Sequence, residues 1–393
     1  LDRGLEEALE EEMGSLIMKI AVLNTGSGTV KSALIETSGA DVRTLHRQTT
    51  ERSESEPLEE TVHRALVEVG SDQADAIAHR IVHGGSVFTQ PVEIDESVER
   101  ALEDLASMAP LHNPPALEGL RVGRRAHPDL PAIAVFDTAF HADHSPSARL
   151  YALPWDLAEQ LGLYRYGFHG LAHASLLESL VRLEECDPRS VHAVTLQLGS
   201  GCSACAIENG RSIETSMGFS PLEGLPMGTR SGDCDPSIVL ALLRNGYSAD
   251  EVEKLLNHHS GLLGLAGSSD VRDLLEAEAA GEHRAAVALG LYVRRIVATI
   301  GAYLTLLGGR GSLIFGGGVG THSTEIRRRI AAGLRAWDVT LDSQRNHDVR
   351  SGRISKSGFR GVYVFETEEE PLIAREAAEV LRSRRETSLQ GSR

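Results

Sequence analysis

The feature that most constrains this chain is a repeat. Leu23-Asn24-Thr25-Gly26-Ser27-Gly28, running into Thr29 through Glu36, is echoed by Leu196-Gln197-Leu198-Gly199-Ser200-Gly201, running into Cys202 through Glu208. Each copy reads as a strand, a Gly-Ser-Gly turn and a second strand, with β-branched or small apolar flanks. A chain built this way has two similar halves, and its 393 residues exceed one compact core and suit two domains. Apolar content of 41% fills both cores.

Charge narrows the partners. A formal net charge of −17 disfavours nucleic acid and anionic membrane, so an anionic substrate must be met by a local basic patch. The four cysteines are unevenly spaced and read as reduced thiols of a cytoplasmic protein, with Cys202 and Cys205 as small buried strand residues rather than half a zinc site. Residues 1–17 are acidic, unlike a signal peptide, and read as an extension before the first strand at Met18. The longest uncharged run, Ile296 to Gly309, is short for a membrane span, and no membrane partner is expected.

Helices follow from their caps. Asn113-Pro114 and Asp235-Pro236 are start signals, the second helix stopping at Asn245-Gly246. Ser269-Asp270 caps a helix from Val271, and an amphipathic pattern from about Glu282 to Leu307 leads to the strand Ser312–Phe315 and a third glycine turn, Gly316 to Gly320. Strands alternating with helices give an α/β class with mixed sheets.

Glycine turns free backbone N–H groups to face an anion. Any one of the three is compatible with an ordinary hairpin, and none continues as a Walker or Rossmann motif; together they favour nucleotide binding. Arg80, in the apolar run Ile77–Val82, needs either an anion or a structural carboxylate. Asp137, in Val135–Phe140, calls for a metal or a cation. His169 and His173 are four apart but lack the glutamate of a zinc-protease helix, and Arg230 sits in a glycine-flexible loop suited to a phosphate.

Taken in order, the segments Asn24–Lys31, His79–Gly85, Ala109–Pro114, Phe136–His141, Arg165–His173, Ser216–Pro236, Ser268–Asp273, Gly316–Gly320 and Thr367–Ala374 resemble the acetate kinase family, a branch of the actin-like phosphotransferases, from Met18 to about Arg375. The resemblance implies an ATP-dependent kinase forming acetyl phosphate and ADP from acetate. It implies duplicated actin-like (ribonuclease H-like) domains, each a five-stranded mixed sheet flanked by helices, with a cleft between them: residues 18–141 plus 371–393, and 142–370. It also implies a homodimer.

By the same resemblance Asn24, Arg80, His169 and Arg230 surround the transferring phosphoryl group, and His112 supports the transition state. Asp137 and Glu369 or Glu370, with Asn24, organise Mg²⁺, for which Mn²⁺ can substitute. Val82, Leu111, Phe168 and Pro221 wall the acid pocket. Ser27, Lys31, Gly199, Ser200, Gly201, Asp270, Arg272, Gly318 and Val319 line the nucleotide side. The chain departs from the family pattern at Gln197 (usually His), Ser200 (usually Asn), Thr321-His322 (usually Glu-Asn) and Glu368 (usually Asn). Two other readings therefore stay open: a kinase for propionate or another short-chain acid, and a nucleotide-binding sensor with weak catalysis.

Overall fold

The computed structural model describes residues 16–39, 41–53, 55–108 and 113–391. The expected roles of Leu111 and His112, and nearly all of the 1–17 extension, lie outside these residues. The chain divides into two compact units, residues 1–139 with 368–393 and residues 140–367. The expected boundaries at 141 and 370 lie two and three residues beyond these divisions, and Glu368, Glu369 and Glu370 group with the first unit.

In the first unit, β1 (Met18–Thr25), β2 (Thr29–Ser38) and β3 (Asp41–Glu51) form an antiparallel meander. Next to β1 lie β4 (Ala76–Ile81) and β6 (Ala132–Phe136), both parallel to it, and at the edge β5 (Val92–Glu93), giving the order β3-β2-β1-β4-β6-β5. The second unit repeats this strand for strand. β7 (Ala193–Leu198), β8 (Cys202–Glu208) and β9 (Arg211–Thr215) are the meander, β10 (Ser312–Gly316) and β12 (Val362–Val364) the parallel partners, and β11 (Gly352–Arg353) the edge, in the order β11-β12-β10-β7-β8-β9. The duplication read from the two Gly-Ser-Gly tips thus extends to whole sheets. Each sheet has six strands rather than five, because β5 and β11 are two-residue edge strands too short to leave a periodic signal.

The tips are hairpin turns as the glycines require: Thr25 pairs with Val30 and Leu198 with Cys202, closed by Gly26 N–H to Thr29 O (2.9 Å) and Gly199 N–H to Gly201 O (2.9 Å). Helix starts also follow the caps. Asp235 accepts from Ser237 N (2.8 Å) ahead of Pro236–Arg244, and Asp270 from Arg272 N (2.8 Å) ahead of Val271–Ala279. Asn113 is the first residue of its helix, Asn113–Ala126, and its amide bonds the His83 backbone at 3.1 and 3.0 Å. The expected third turn is a strand-to-helix junction: β10 runs directly into the helix Gly317–His322. Gly317 makes it possible, because its φ of 73° suits glycine and a Cβ there would lie 2.5 Å from Leu198 O.

Apolar faces pack on both sheets. Ala21, Leu23, Leu34, Val62, Leu66 and Ile77 form one core of the first unit; Leu176, Ile207, Ile314 and Phe365 belong to a core of the second. Among the described residues, His283–Leu306 is the one helix long and apolar enough to cross a membrane. One stripe of it, including Leu289, Tyr292, Ile296 and Ile300, is buried in the second unit, where the Tyr292 hydroxyl meets Cys202 Sγ at 3.3 Å.

Candidate active site

In the first unit the parallel strands β1, β4 and β6 are adjacent, so their carboxyl ends carry Asn24, Arg80 and Asp137 to one place. That end is where open α/β sheets bind ligands. Arg80 donates from Nε to Asp137 Oδ1 (2.8 Å), from one terminal nitrogen to Asp137 Oδ2 (2.5 Å) and from the other to Asn24 Oδ1 (3.2 Å). Glu369, opening the C-terminal helix Glu369–Gly391, places a carboxylate oxygen 3.6 Å from Arg80 Nε. Its neighbour Glu370 turns instead to Arg47 at 3.5 Å.

The fork-on-fork geometry of Arg80 and Asp137 is the strong form of a charge-assisted pair. Asp137 is 1% exposed, and burial lifts its carboxyl to about 6 against the pull of Arg80. Burial also works against the Arg80 cation, but Asp137 and Glu369 outweigh it and hold the guanidinium charged. The two-bond fork between them is the arrangement of a guanidinium with a carboxylate. Among the described residues no three His, Cys, Asp or Glu cluster at ligand spacing. Asp137, Glu369 and the Asn24 amide instead offer a sparse set of oxygen donors around one centre. That set fits Mg²⁺, which keeps several waters and takes one or two carboxylates alongside substrate phosphates.

In the second unit the other expected residues gather at the tip of the β7–β8 hairpin. A Cβ on Gly201 would lie 3.3 Å from His169 Cε1 and 3.8 Å from an Arg230 terminal nitrogen, so both side chains approach the backbone at this tip closely. Gly199 and Gly318 are close by the same measure, 3.9 Å to the Gly318 nitrogen, and Gly228 N–H bonds Ser200 O (3.0 Å). Gly318 itself opens onto free space. Arg230 donates to Pro221 O (3.3 Å) and, among the described residues, pairs with no carboxylate; burial lowers its pKa, as expected of a cation awaiting an anion.

His169 holds φ 58° and ψ 25° at the start of the helix Gly170–Glu184. A non-glycine residue there costs ~1–2 kcal/mol, and such strain collects at functional sites. Its Nδ1 meets Ser203 Oγ at 2.9 Å.

Arg272 is 86% exposed and folds back on its own helix cap, Asp270, at 2.6 Å. Ser27 is exposed, its carbonyl accepting from Arg52 (3.0 Å), and Lys31 is exposed opposite Asn24 in the hairpin register. Val82 is half-buried just beyond β4, Val319 is half-buried, and Phe168 is a core residue at 1% exposure.

Sequence reasoning missed the residues behind the site. Ser203 and Thr195 lie on strand faces where a hydroxyl looks unremarkable; counting by twos from Gly201 along β8 would have found Ser203. It also missed Arg327, which is fully buried and donates to the carbonyls of Gly320 (2.8 Å), Thr321 (2.6 Å) and Asn346 (2.6 Å), tying down the end of the Gly317–His322 helix. Gln197, one of the departures, is bonded by the Thr367 hydroxyl (2.8 Å), and that hydroxyl takes the Gly317 N–H (3.1 Å). The glutamine is thus tied through Thr367 to the strand-to-helix junction at Gly317.

Five buried histidines yield a pH prediction. Burial is the leading cause that lowers His79 and His173 to about 3, His83 and His144 to about 4, and His141 well below its ordinary value. Each is neutral in the fold but protonates near 6.5 when unfolded. The stability they contribute is complete above about pH 6.5 and is lost as pH falls toward the folded values, by up to ~1.4 kcal/mol per histidine per pH unit. The urea midpoint should therefore drop steeply between pH 7 and 5.5; a flat midpoint would mean these rings are not held neutral.

Comparison with known proteins places this architecture. The profile of the acetokinase family matches residues 46–375. The acetate kinase of Sulfurimonas denitrificans is 39% identical over 93% of this chain and all of its own length; that of Streptomyces avermitilis is 40% identical, covering 91% and 96%. Among solved structures, a propionate kinase of Francisella tularensis superposes with a TM-score of 0.83 at 33% identity, covering 91% of this chain and 98% of its own. The acetate kinase of Porphyromonas gingivalis gives 0.82 at 32% identity, covering 93% and 100%.

Proposed function

The chain belongs to the acetokinase family, with its duplicated actin-like fold, and from that premise we propose that it is an acetate kinase, moving the γ-phosphoryl group of ATP reversibly onto acetate. The observation that carries the reading is the pair of cationic clusters, Arg80 within Asn24, Asp137 and Glu369 in one unit, and Arg230 with His169 at a glycine tip in the other.

The chemistry asks for this equipment. A carboxylic acid with a pKa of roughly 4.3 is already ionised at neutral pH, so the nucleophile needs no general base. A carboxylate oxygen attacks the γ-phosphorus, the bond to the β,γ-bridging oxygen breaks, and ADP leaves with that oxygen's electron pair. The obstacle is repulsion between two anions, and fixed donors aimed at the spreading charge lower it. Arg230 and Arg80 supply positive charge, His169 a ring N–H, and Asn24 an amide. Asp137, Glu369 and Asn24 would hold Mg²⁺, for which Mn²⁺ could substitute, and the bound ion would supply positive charge to the phosphate oxygens. Gly199, Ser200, Gly201, Gly318 and Val319 would take the nucleotide through backbone N–H groups.

Acetate rather than propionate is the proposed acceptor because Val82, by family resemblance a wall of the acid pocket, would make that pocket small. In an acyl-hydroxamate assay with Mg-ATP and hydroxylamine, acetate should give the most product, ahead of propionate and butyrate. Val82→Ala should raise the propionate-to-acetate ratio by ~10-fold, the lower end of the scale of one methylene. ATP binding with no hydroxamate from any acid would favour the sensor reading instead.

We also propose a cytoplasmic homodimer. The four cysteines are free. The helix Pro236–Arg244 buries none of its apolar side chains within the unit: Ile238, Leu240 and Leu243 are 47%, 49% and 40% exposed, and Val287 and Leu291 are exposed on another helix. Such a surface is expected of an interface. Sedimentation velocity should give twice the chain mass, and Leu240→Glu should halve it; a wild-type monomer would refute the dimer.

A further inference from the structure

Behind His169 lies a line of polar side chains that the reaction as described does not use. His169 Nδ1 meets Ser203 Oγ (2.9 Å), Ser203 Oγ meets His173 Nε2 (2.8 Å), and His173 Nδ1 meets Thr195 Oγ1 (2.8 Å). Ser203, His173 and Thr195 are all fully buried in the second unit. We propose that Thr195, His173 and Ser203 form a one-directional hydrogen-bond chain that fixes His169 as the tautomer carrying its proton on Nε2, the nitrogen beside the Gly201 tip. These three are positioning residues, and the inference rests on the reading that His169 donates to the phosphoryl group.

Proton counting gives the direction. Burial keeps His173 neutral, so its ring has one N–H and one lone pair, while Ser203 and Thr195 have one hydroxyl proton each. Two polarities satisfy the line. In the first, Thr195 donates to His173 Nδ1, His173 Nε2–H to Ser203, and Ser203 to His169 Nδ1, which leaves the His169 proton on Nε2. In the second every bond reverses, and the Thr195 proton must find another acceptor. Among the described residues its one side-chain hydrogen bond is to His173, and the neighbouring thiol of Cys205 is kept protonated by burial, which pushes it up to about 12. A neutral thiol sulfur accepts far more weakly than an imidazole nitrogen, and the first polarity wins.

With its Nδ1 lone pair taken by Ser203, the His169 ring presents its N–H on Nε2, the nitrogen nearest the Gly201 tip that it shares with Arg230. Holding a ring in the correct tautomer through its far nitrogen is an established use of buried polar partners.

Thr195→Val tests this because it removes one hydroxyl, keeps the shape, and lies two links from His169. Long-range ¹H–¹⁵N spectra of the full-length, ¹⁵N-labelled protein read the tautomer directly, with the His169 signals identified by their loss in His169→Gln. The wild type should show the Nε2–H form, and Thr195→Val and Ser203→Ala should show a mixture. Turnover should fall about 10-fold in both, the lower end for lost supporting partners, with KM for ATP unchanged, and Thr195→Ser should restore tautomer and turnover together. An Nδ1–H or doubly protonated ring in the wild type, or a tautomer unmoved in both variants even with reduced turnover, would overturn the proposal. The spectrum needs no turnover, so a failed chain is distinguishable from a failed kinase.

Discussion

Replacing Arg230 with alanine should lower kcat for acetyl phosphate formation by ~10²- to 10³-fold, the range for a lost electrostatic stabiliser, while ATP binding changes little. The asymmetry follows from its surroundings. Arg230 lies beside Gly201 with Pro221 O as acceptor and, among the described residues, no carboxylate partner, so its charge is uncommitted in the resting protein. It is then fully engaged only when a more highly charged group arrives, and an interaction stronger in the transition state acts on kcat. Lysine at 230 should restore only part of the rate, since a point charge does not reproduce a planar fork. Steady-state kinetics with isothermal titration of ATP decide it: a rise in KM with normal kcat would make Arg230 a binding residue only.

Arg80 should behave differently, because it is structural and functional at once. Arg80→Ala leaves Asp137, 1% exposed, without its bidentate partner. Breaking a buried pair from one side costs about 3–5 kcal/mol, so the variant should unfold at distinctly lower urea as well as lose turnover. The partner change separates the effects. In Arg80→Ala/Asp137→Asn the uncompensated charge is gone; stability should recover by most of that amount while turnover stays lost. A single variant as stable as the wild type would mean that Asp137 takes up a proton or water at little cost, and would weaken the electrostatic description of this cluster.

These contrasts bear on what the sequence revealed. The two hairpins were legible because Gly-Ser-Gly between β-branched strands has few other conformations, and Asp235 and Asp270 were legible as caps because the oxygen-before-helix pattern is local. The Gly316–Gly320 run was misjudged for an equally local reason: glycine signals freedom, but here one left-handed Gly317 turns β10 into a helix. Arg80 and Asp137 were each flagged as buried charges needing a partner; that they satisfy each other depends on β4 and β6 being neighbours, which no local signal encodes. Arg327 was invisible for the opposite reason. It begins an Arg-Arg-Arg run that looks solvent-facing, yet it is fully buried and held by carbonyl oxygens alone on three of its contacts.

The departures at Gln197 and Ser200 take on meaning in the same way. Gln197 opposes Ser203 across the β7–β8 ladder and is tied to Thr367. Ser200 contributes its carbonyl to Gly228, a contact independent of its side chain. Neither position leaves the hairpin tip without support, which favours an active kinase over a nucleotide sensor.

The central claim is reversible phosphoryl transfer to a carboxylate, and the reverse direction tests it most directly. Purified full-length protein is mixed with acetyl phosphate and Mg-ADP, and ATP is read by luciferase luminescence. ATP appearing in step with loss of acetyl phosphate, and abolished in Arg230→Ala, is the predicted result; no ATP above the protein-free control, with ADP binding intact, would contradict it.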